Sequence, residues 1–135
     1  METKKTDIQV QEPYYSQIAS GKKTVEGRLA KAQYQNLEPG DVLTINEYLE
    51  KEIVDIRPYD SFASMLKTEG LDQVLPGTSN VDKGVKIYRA FYPESLEKKF
   101  GVLAIELTNA LERCLFMDQT TCPVGWAMIE ANLSQ

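Results

Sequence analysis

Apolar and polar positions change period several times along the chain, and those changes divide it into elements. Asp7-Ile8-Gln9-Val10-Gln11 alternates, which predicts a short strand. Glu12-Pro13 opens a helix whose buried side is Tyr14, Tyr15, Ile18 and Ala19. Pro13 stands in the first turn, where a missing N–H costs nothing, and Gly21 is the left-handed residue that ends the helix. Val25, Gly27 and Leu29 then alternate with Glu26 and Arg28, the spacing of a strand that carries Glu26 and Arg28 on one face. Lys31 to Gln35 is polar around Tyr34 and fits a short helix or an irregular segment.

Glu38-Pro39-Gly40-Asp41 is a strong turn, with φ pre-set at Pro39 and a positive φ accepted at Gly40. Residues 42–46 and 52–57 follow as strands, paired as a hairpin around 47–51. Asp60-Ser61 caps a helix from Phe62 through Leu71, interrupted at Gly70 and ended by Leu75-Pro76-Gly77. Ser79-Asn80 begins another at Val81. Its apolar stripe is Val81, Val85, Tyr88 and Tyr92, its charged stripe Asp82, Lys86 and Arg89, and Tyr92-Pro93 closes it. Residues 100–107 are almost continuously apolar and predict a strand buried on both faces. Beyond Ala110 the pattern is weak: a loop at Cys122-Pro123-Val124-Gly125, then a helix at Trp126 to Ile129. Short strands interrupted by helices predict a small α+β, barrel-like fold rather than a doubly wound sheet.

Composition narrows the function classes. With 135 residues and no repeat or linker, a single domain over 1–135 is expected. No apolar run approaches the roughly 20 residues of a membrane helix, and the N-terminus has no signal-peptide core. The cytoplasm is the expected compartment, with the nucleus as the alternative in a eukaryote. A net charge of −5 argues against a duplex-DNA coater. Yet residues 22–31 hold Lys22, Lys23, Arg28 and Lys31 against Glu26 alone, so a local basic cleft survives that exclusion. The absence of histidine removes Ser-His and Cys-His nucleophile pairs and leaves Lys, Glu, Asp, Tyr or water as general base. Cys114 and Cys122 are too few for structural zinc. Free thiols are expected for an intracellular chain, a disulfide being the alternative. No metal or cofactor is expected.

The chemistry concentrates where the first helix passes into the second strand. Gly21 and Gly27 permit close approach by a ligand or another backbone. Glu26 and Arg28 either pair with each other or point at one ligand. Lys22 and Lys23 follow a helix end, where cations complement the dipole. A Lys23 held in a closed cleft would instead have a lowered pKa and serve as a base with Glu26. Thr24 would point away from Lys23 along the strand. Lys86 and Arg89, with Tyr88, Phe91 and Tyr92, form a second cationic and aromatic group, suited either to single-stranded nucleic acid or to core and wet helix face.

Gly21-x-Lys23-x-x-Glu26-x-Arg28 resembles the G-x-K-x-x-E-x-R signature of the ASCH domain superfamily, relatives of the PUA RNA-binding fold. Other segments agree in order: Glu38-Pro39-Gly40-Asp41, Tyr59-x-x-Phe62-x-x-Met65-Leu66, Leu75-Pro76-Gly77, and Tyr92-Pro93 before Phe100 to Ile105. The likeness spans about residues 7–108 and is closest to small stand-alone members. It implies an α+β fold with a PUA-like β-barrel of about five to six strands and helices flanking a cleft. The implied ligand is RNA or a nucleotide or modified nucleoside, held by Gly21, Lys22, Lys23, Glu26 and Arg28, with Lys86 and Arg89. Lys23 and Arg28 would meet phosphate or a base carbonyl, and Glu26 a base N–H edge.

One branch of the superfamily hydrolyses the acetyl amide of N4-acetylcytidine with a Lys, a Thr and a Glu, and another is reported to cleave RNA. An enzyme here would use Lys23, Glu26 and Glu69. The amidase threonine lies three positions after its lysine, and that position is Glu26 in this chain. A carboxylate there would give a mixed anhydride instead of an ester. A third reading, a protein partner, rests on residues 110–135, for which the resemblance offers no counterpart.

Overall fold

Five strands and six helices make up the protein in a computed structural model that describes residues 4–108. The order is β1 (Lys5–Ile8), α1 (Tyr14–Ser20), β2 (Val25–Leu29), α2 (Ala32–Gln35), β3 (Val42–Ile45), β4 (Leu49–Tyr59), α3 (Phe62–Glu69), α4 (Leu71–Val74), α5 (Val81–Arg89), α6 (Glu94–Phe100) and β5 (Val102–Leu107). The expectations for Cys114, Cys122, Trp126 and the extension 110–135 lie outside the described residues.

The strands make one sheet in the order β1-β3-β4-β5-β2, with β1 parallel to β3 and every other pair antiparallel. β4 is long enough to serve both halves. Its residues 49–52 pair with β3, and those from Ile53 to Tyr59 pair with β5. The register shifts between Ile53 and Asp55, which leaves Val54 as an extra, exposed residue. A bulge of this kind bends its strand and increases the local twist. The sheet therefore curls into a half-barrel whose two edges, β1 and β2, turn toward each other. The gap between those edges is the seam of the barrel.

Burial on both faces of the sheet explains the sequence patterns. Inside the curl, Ile8, Ile18, Leu43, Ile45, Ile53, Leu103 and Ile105 form one core. On the other face Val25, Leu29, Val102 and Ala104 meet Phe62, Met65, Leu66 and Tyr88 from the helices. β5 contributes to both cores, hence its nearly unbroken apolar run. Gly84 lets α5 close on α3: a Cβ there would stand 2.7 Å from Leu66 Cδ1. Gly21 and Gly70 take φ of 86° and 97° at the ends of α1 and α3, as expected from their positions.

Three elements differ from the sequence reading. The first strand is Lys5–Ile8 rather than 7–11, because beyond Ile8 the backbone turns to a side chain. Asn46 Oδ1 accepts from the Val10 N–H at 2.8 Å and its Nδ2 donates to Val10 O at 2.9 Å. The hairpin turn is confined to Asn46-Glu47-Tyr48, where Asn46 and Glu47 adopt φ of 53° and 73°, so β4 begins at Leu49 through three consecutive charged residues that hide its period. Finally, α6 is an additional helix of mostly polar sequence.

That helix has a clear function in the fold. Glu97 is buried, its Oε2 accepts from the Phe62 N–H at 2.6 Å and its Oε1 from Arg89 Nη2 at 2.9 Å. A carboxylate from α6 thus satisfies an orphan donor at the start of α3, beside the Ser61 cap, whose Oγ accepts from the Ser64 N–H at 3.0 Å. Glu97→Ala strands a buried N–H and frees Arg89, and is expected to lower stability by about 2 kcal/mol in urea unfolding. Glu97→Gln, which still accepts from Phe62, should recover part of that loss.

Candidate functional site

A cleft of about 310 Å³ opens at the barrel seam. This is the lower end of the range for small-molecule sites, about 300–1,000 Å³. One wall is the chain after β1 and the start of α1, with Gln9, Val10, Gln11 and Tyr14. The opposite wall is Leu75 with Ile87, Tyr88, Phe91 and Tyr92 from α5 and the turn after it. Between them lie Lys23, Glu26, Gly27 and Arg28, from the approach to β2 and β2 itself. Strand period sends Glu26 and Arg28 to one side, as expected.

Glu26 is bracketed by two cations. Lys23 Nζ is 3.4 Å from Oε1, and Arg28 Nε donates to Oε2 at 2.7 Å. Lys23 is 3% exposed and Glu26 7%. The Lys23 ammonium also donates to Val25 O at 2.7 Å and to Val74 O, so all three of its hydrogens have acceptors. Burial lowers its pKa, while Glu26 opposes the shift. Arg28 reaches past Glu26 and donates through Nη2 to Gln9 O at 2.6 Å, which ties the β2 edge to the chain leaving β1. Burial works against the Arg28 charge, and the Glu26 carboxylate together with Tyr92 and Tyr34 more than offsets it, so its pKa is raised. Two cations against one carboxylate leave the cleft with one excess positive charge.

The aromatic side is equally ordered. Phe62 stacks on Tyr88 with ring centroids 4.1 Å apart and on Tyr92 at 5.7 Å. Phe91 stands at the cleft with 47% of its surface exposed. Burial raises the Tyr88 hydroxyl's pKa well above the ordinary range, which keeps it a neutral O–H. A Cβ on Gly27 would lie 2.7 Å from that hydroxyl oxygen, a measure of how closely Tyr88 crosses the strand.

Of the residues singled out in the sequence, the structure brings together Lys23, Glu26 and Arg28 at the cleft. Gly21, Lys22, Lys86, Arg89 and Glu69 are not among its lining residues. Lys22 and Lys86 are exposed, and Arg89 is held by Glu97. Glu69 sits in a separate cluster. It receives Arg57 Nε at 2.7 Å and Nη2 at 2.8 Å, and the Tyr59 hydroxyl, while Arg57 also pairs with Asp55 and Glu106. The Thr24 hydroxyl points away from the cleft and donates to Gln73 Oε1 at 2.5 Å. Tyr88, Phe91 and Tyr92 were visible in the sequence as an aromatic group, but they face the cleft without their neighbouring cations. Gln9 and Tyr14 carried no signal of a site, since the seam exists only once the sheet has curled. Among the described residues no group of His, Cys, Asp and Glu is arranged to hold a metal.

Comparison with known proteins agrees with this architecture. The ASCH domain family model matches residues 8–110, and the chain belongs to the ASCH domain family. The crystal structure of hypothetical protein PH0355 is similar at a TM-score of 0.75 and 42% identity, covering 78% of this chain and 98% of that one. The solution structure of PF0455 from Pyrococcus furiosus gives 0.67 and 40%, with 78% and 96% covered. No curated protein matches. The fold is the α+β, PUA-like half-barrel that the resemblance implies. Among the described residues no helix is long and apolar enough to cross a membrane.

Two outcomes follow from these contacts. Lys23→Ala leaves two buried carbonyls and half of Glu26 without a donor, so a loss of about 3 kcal/mol is expected in chemical denaturation. Glu69 lies below its ordinary pKa of 4.5, chiefly through its hydrogen bonds from Arg57. Its contribution is therefore complete above about pH 4.5 and is lost as pH falls through the lowered value. Glu69→Gln should flatten that part of the acid limb when unfolding midpoints are compared between about pH 6 and 3.

Proposed function

We propose that this protein is an RNA-binding module whose seam cleft holds one nucleotide of a single strand, or a free nucleoside or nucleotide of the same chemistry. The observation that carries the reading is the Lys23–Glu26–Arg28 group: a buried, net-positive arrangement opening between aromatic walls, in a chain whose overall charge is −5. A cation beside aromatic rings suits a ligand with an anionic backbone and flat apolar faces. Arg28 is the residue that meets the ligand's oxygen atoms. Lys23, with its hydrogens engaged by Val25, Val74 and Glu26, positions Glu26 and through it the Arg28 guanidinium. The excess of acidic residues elsewhere favours a local contact over a long electrostatic footprint.

Hydrolysis of RNA or of an N4-acetylcytidine-like amide is less well supported. It needs Lys23 to give up a hydrogen-bonded proton, and Glu69 is committed to Arg57 and Tyr59 away from the cleft. A protein partner at 110–135, within a single domain over 1–135, is a separate reading.

Binding of short single-stranded RNA to the full chain, followed by fluorescence anisotropy at several salt concentrations, tests the proposal. Arg28→Gln is expected to weaken binding about tenfold or more. If Arg28 meets a phosphate, the salt slope falls by about 0.7. Unchanged affinity in a folded Arg28→Gln variant sinks the reading. Incubation with N4-acetylcytidine and with RNA should leave both intact by chromatography. Turnover abolished in Lys23→Met would establish the hydrolase instead.

A further inference from the structure

The mid-strand residue of β2 has a property that the charged residues beside it conceal. Gly27 lines the cleft, and a glycine lines a cavity only with its backbone. The ladder shows which way that backbone faces. Leu107 N–H donates to Thr24 O at 2.8 Å and Ala30 N–H to Gly101 O at 3.0 Å, while the register pairs Glu26 with Ile105 and Arg28 with Leu103. In an antiparallel pair the residues that exchange hydrogen bonds alternate. Residues 24, 26, 28 and 30 therefore point their peptide groups at β5, and residues 25, 27 and 29 point theirs at the seam. On that edge Val25 O is taken by Lys23 Nζ and Leu29 O by the Lys31 N–H. Gly27 N–H and C=O have no partner among the described residues, although Gly27 is buried.

A second observation points into the same space. Tyr88 is 7% exposed, lines the cleft, and its hydroxyl makes no hydrogen bond among the described residues. The hydroxyl lies against the Gly27 position. Polar groups with no protein partner are very rarely left unpaired, so these three, which open on the cleft, take their partners from the water or ligand that fills it.

Their number and order select a ligand. An added β-strand would need successive free carbonyls along the edge, and Val25 and Leu29 have none to give. One residue's N–H and C=O together match a single planar group with an adjacent acceptor and donor, which is a nucleobase edge. At the β2 edge itself donors exceed acceptors: the Gly27 N–H, the Tyr88 O–H and the Arg28 N–H groups left over from Glu26, Gln9 and Tyr92 stand against the Gly27 C=O, while the Gln9 and Gln11 amides on the other wall can donate or accept. Both Glu26 oxygens are already engaged by cations. An acceptor–donor–acceptor edge, that of uracil, satisfies this set. Cytosine and adenine present an amino donor where the cleft also donates, and guanine presents two adjacent donors.

Resting on the nucleotide-binding reading above, we propose that the β2 free edge at Gly27, with the Tyr88 hydroxyl, reads one unpaired base and prefers uracil. Phe91, exposed at the mouth, is placed to stack on the neighbouring base of a strand.

The test titrates the four ribonucleoside 5′-monophosphates into the full chain labelled with nitrogen-15. Uridine monophosphate should bind about fivefold to tenfold more tightly than the cytidine nucleotide and should move the Gly27 amide resonance. Tyr88→Phe keeps the ring stacked on Phe62 and removes only the hydroxyl. It should reduce the uridine preference severalfold with an unchanged amide spectrum elsewhere. Four equal affinities, or a Gly27 amide that stays still while nucleotide binds, overturn the assignment. If RNA binding still depends on Arg28 in that case, the base-reading inference falls alone and the binding function stands. A short extended peptide that shifts Gly27 where no nucleotide does would overturn both in favour of strand addition.

Discussion

Glu26 is the point through which the site and the fold are joined. A carboxylate with less than a tenth of its surface exposed is stable at this position only because Lys23 and Arg28 approach it from opposite sides. The two cations also reach different parts of the structure. Lys23 reaches the carbonyl at the end of α4, and Arg28 reaches the chain leaving β1. One ion triad therefore connects the helical insertion, the β2 edge and the opposite edge of the sheet. A pair on an exposed strand would contribute little. Here removal of Glu26 leaves two half-buried or buried cations facing each other uncompensated, and removal of either cation leaves Glu26 held from one side alone.

This arrangement divides labour among residues of the same charge. Lys23 has every hydrogen committed and is nearly sealed from solvent, so it acts on a ligand through Glu26 and Arg28. Arg28 keeps N–H groups toward the cleft after making both structural contacts. Such use of one guanidinium for three directions depends on its planar fork, which an ammonium cannot reproduce. Lys22, the sequence neighbour of Lys23, and Lys86, two residues before Tyr88, stay in water.

Local signals made much of this legible in the chain. α1 with its left-handed Gly21, β2 with alternating Glu26 and Arg28, the Ser61 and Asn80 caps, and the doubly buried β5 all follow from short-range rules that their surroundings do not override. The signature residues Lys23, Glu26 and Arg28 converge for the same reason: they lie on, or next to, one strand. What sequence could not reveal depends on partners far along the chain. α6 has few apolar residues, and its central Glu97 is explained only by Phe62 and Arg89. Glu69 reads as a free acid until Arg57 and Tyr59 arrive from β4. The early end of β1 follows from Asn46, whose amide replaces a ladder partner. Gly27 shows a further limit, since strand period says nothing about which edge of a strand remains unpaired.

The single extra residue at Val54 has a wider consequence. Side chains in a sheet obey a two-state parity, and an added residue reverses that parity for everything beyond it. Before Val54, β4 is in phase with β3; after it, Ile56 and Arg57 are in phase with β5. The bulge thus acts as a phase shifter between two ladders that would otherwise conflict. Without it Arg57 would face the opposite side from Glu69, and the straighter strand would hold β1 and β2 apart. The width of the seam, and so the size of molecule it admits, is set by a valine on the far side of the sheet that touches none of it.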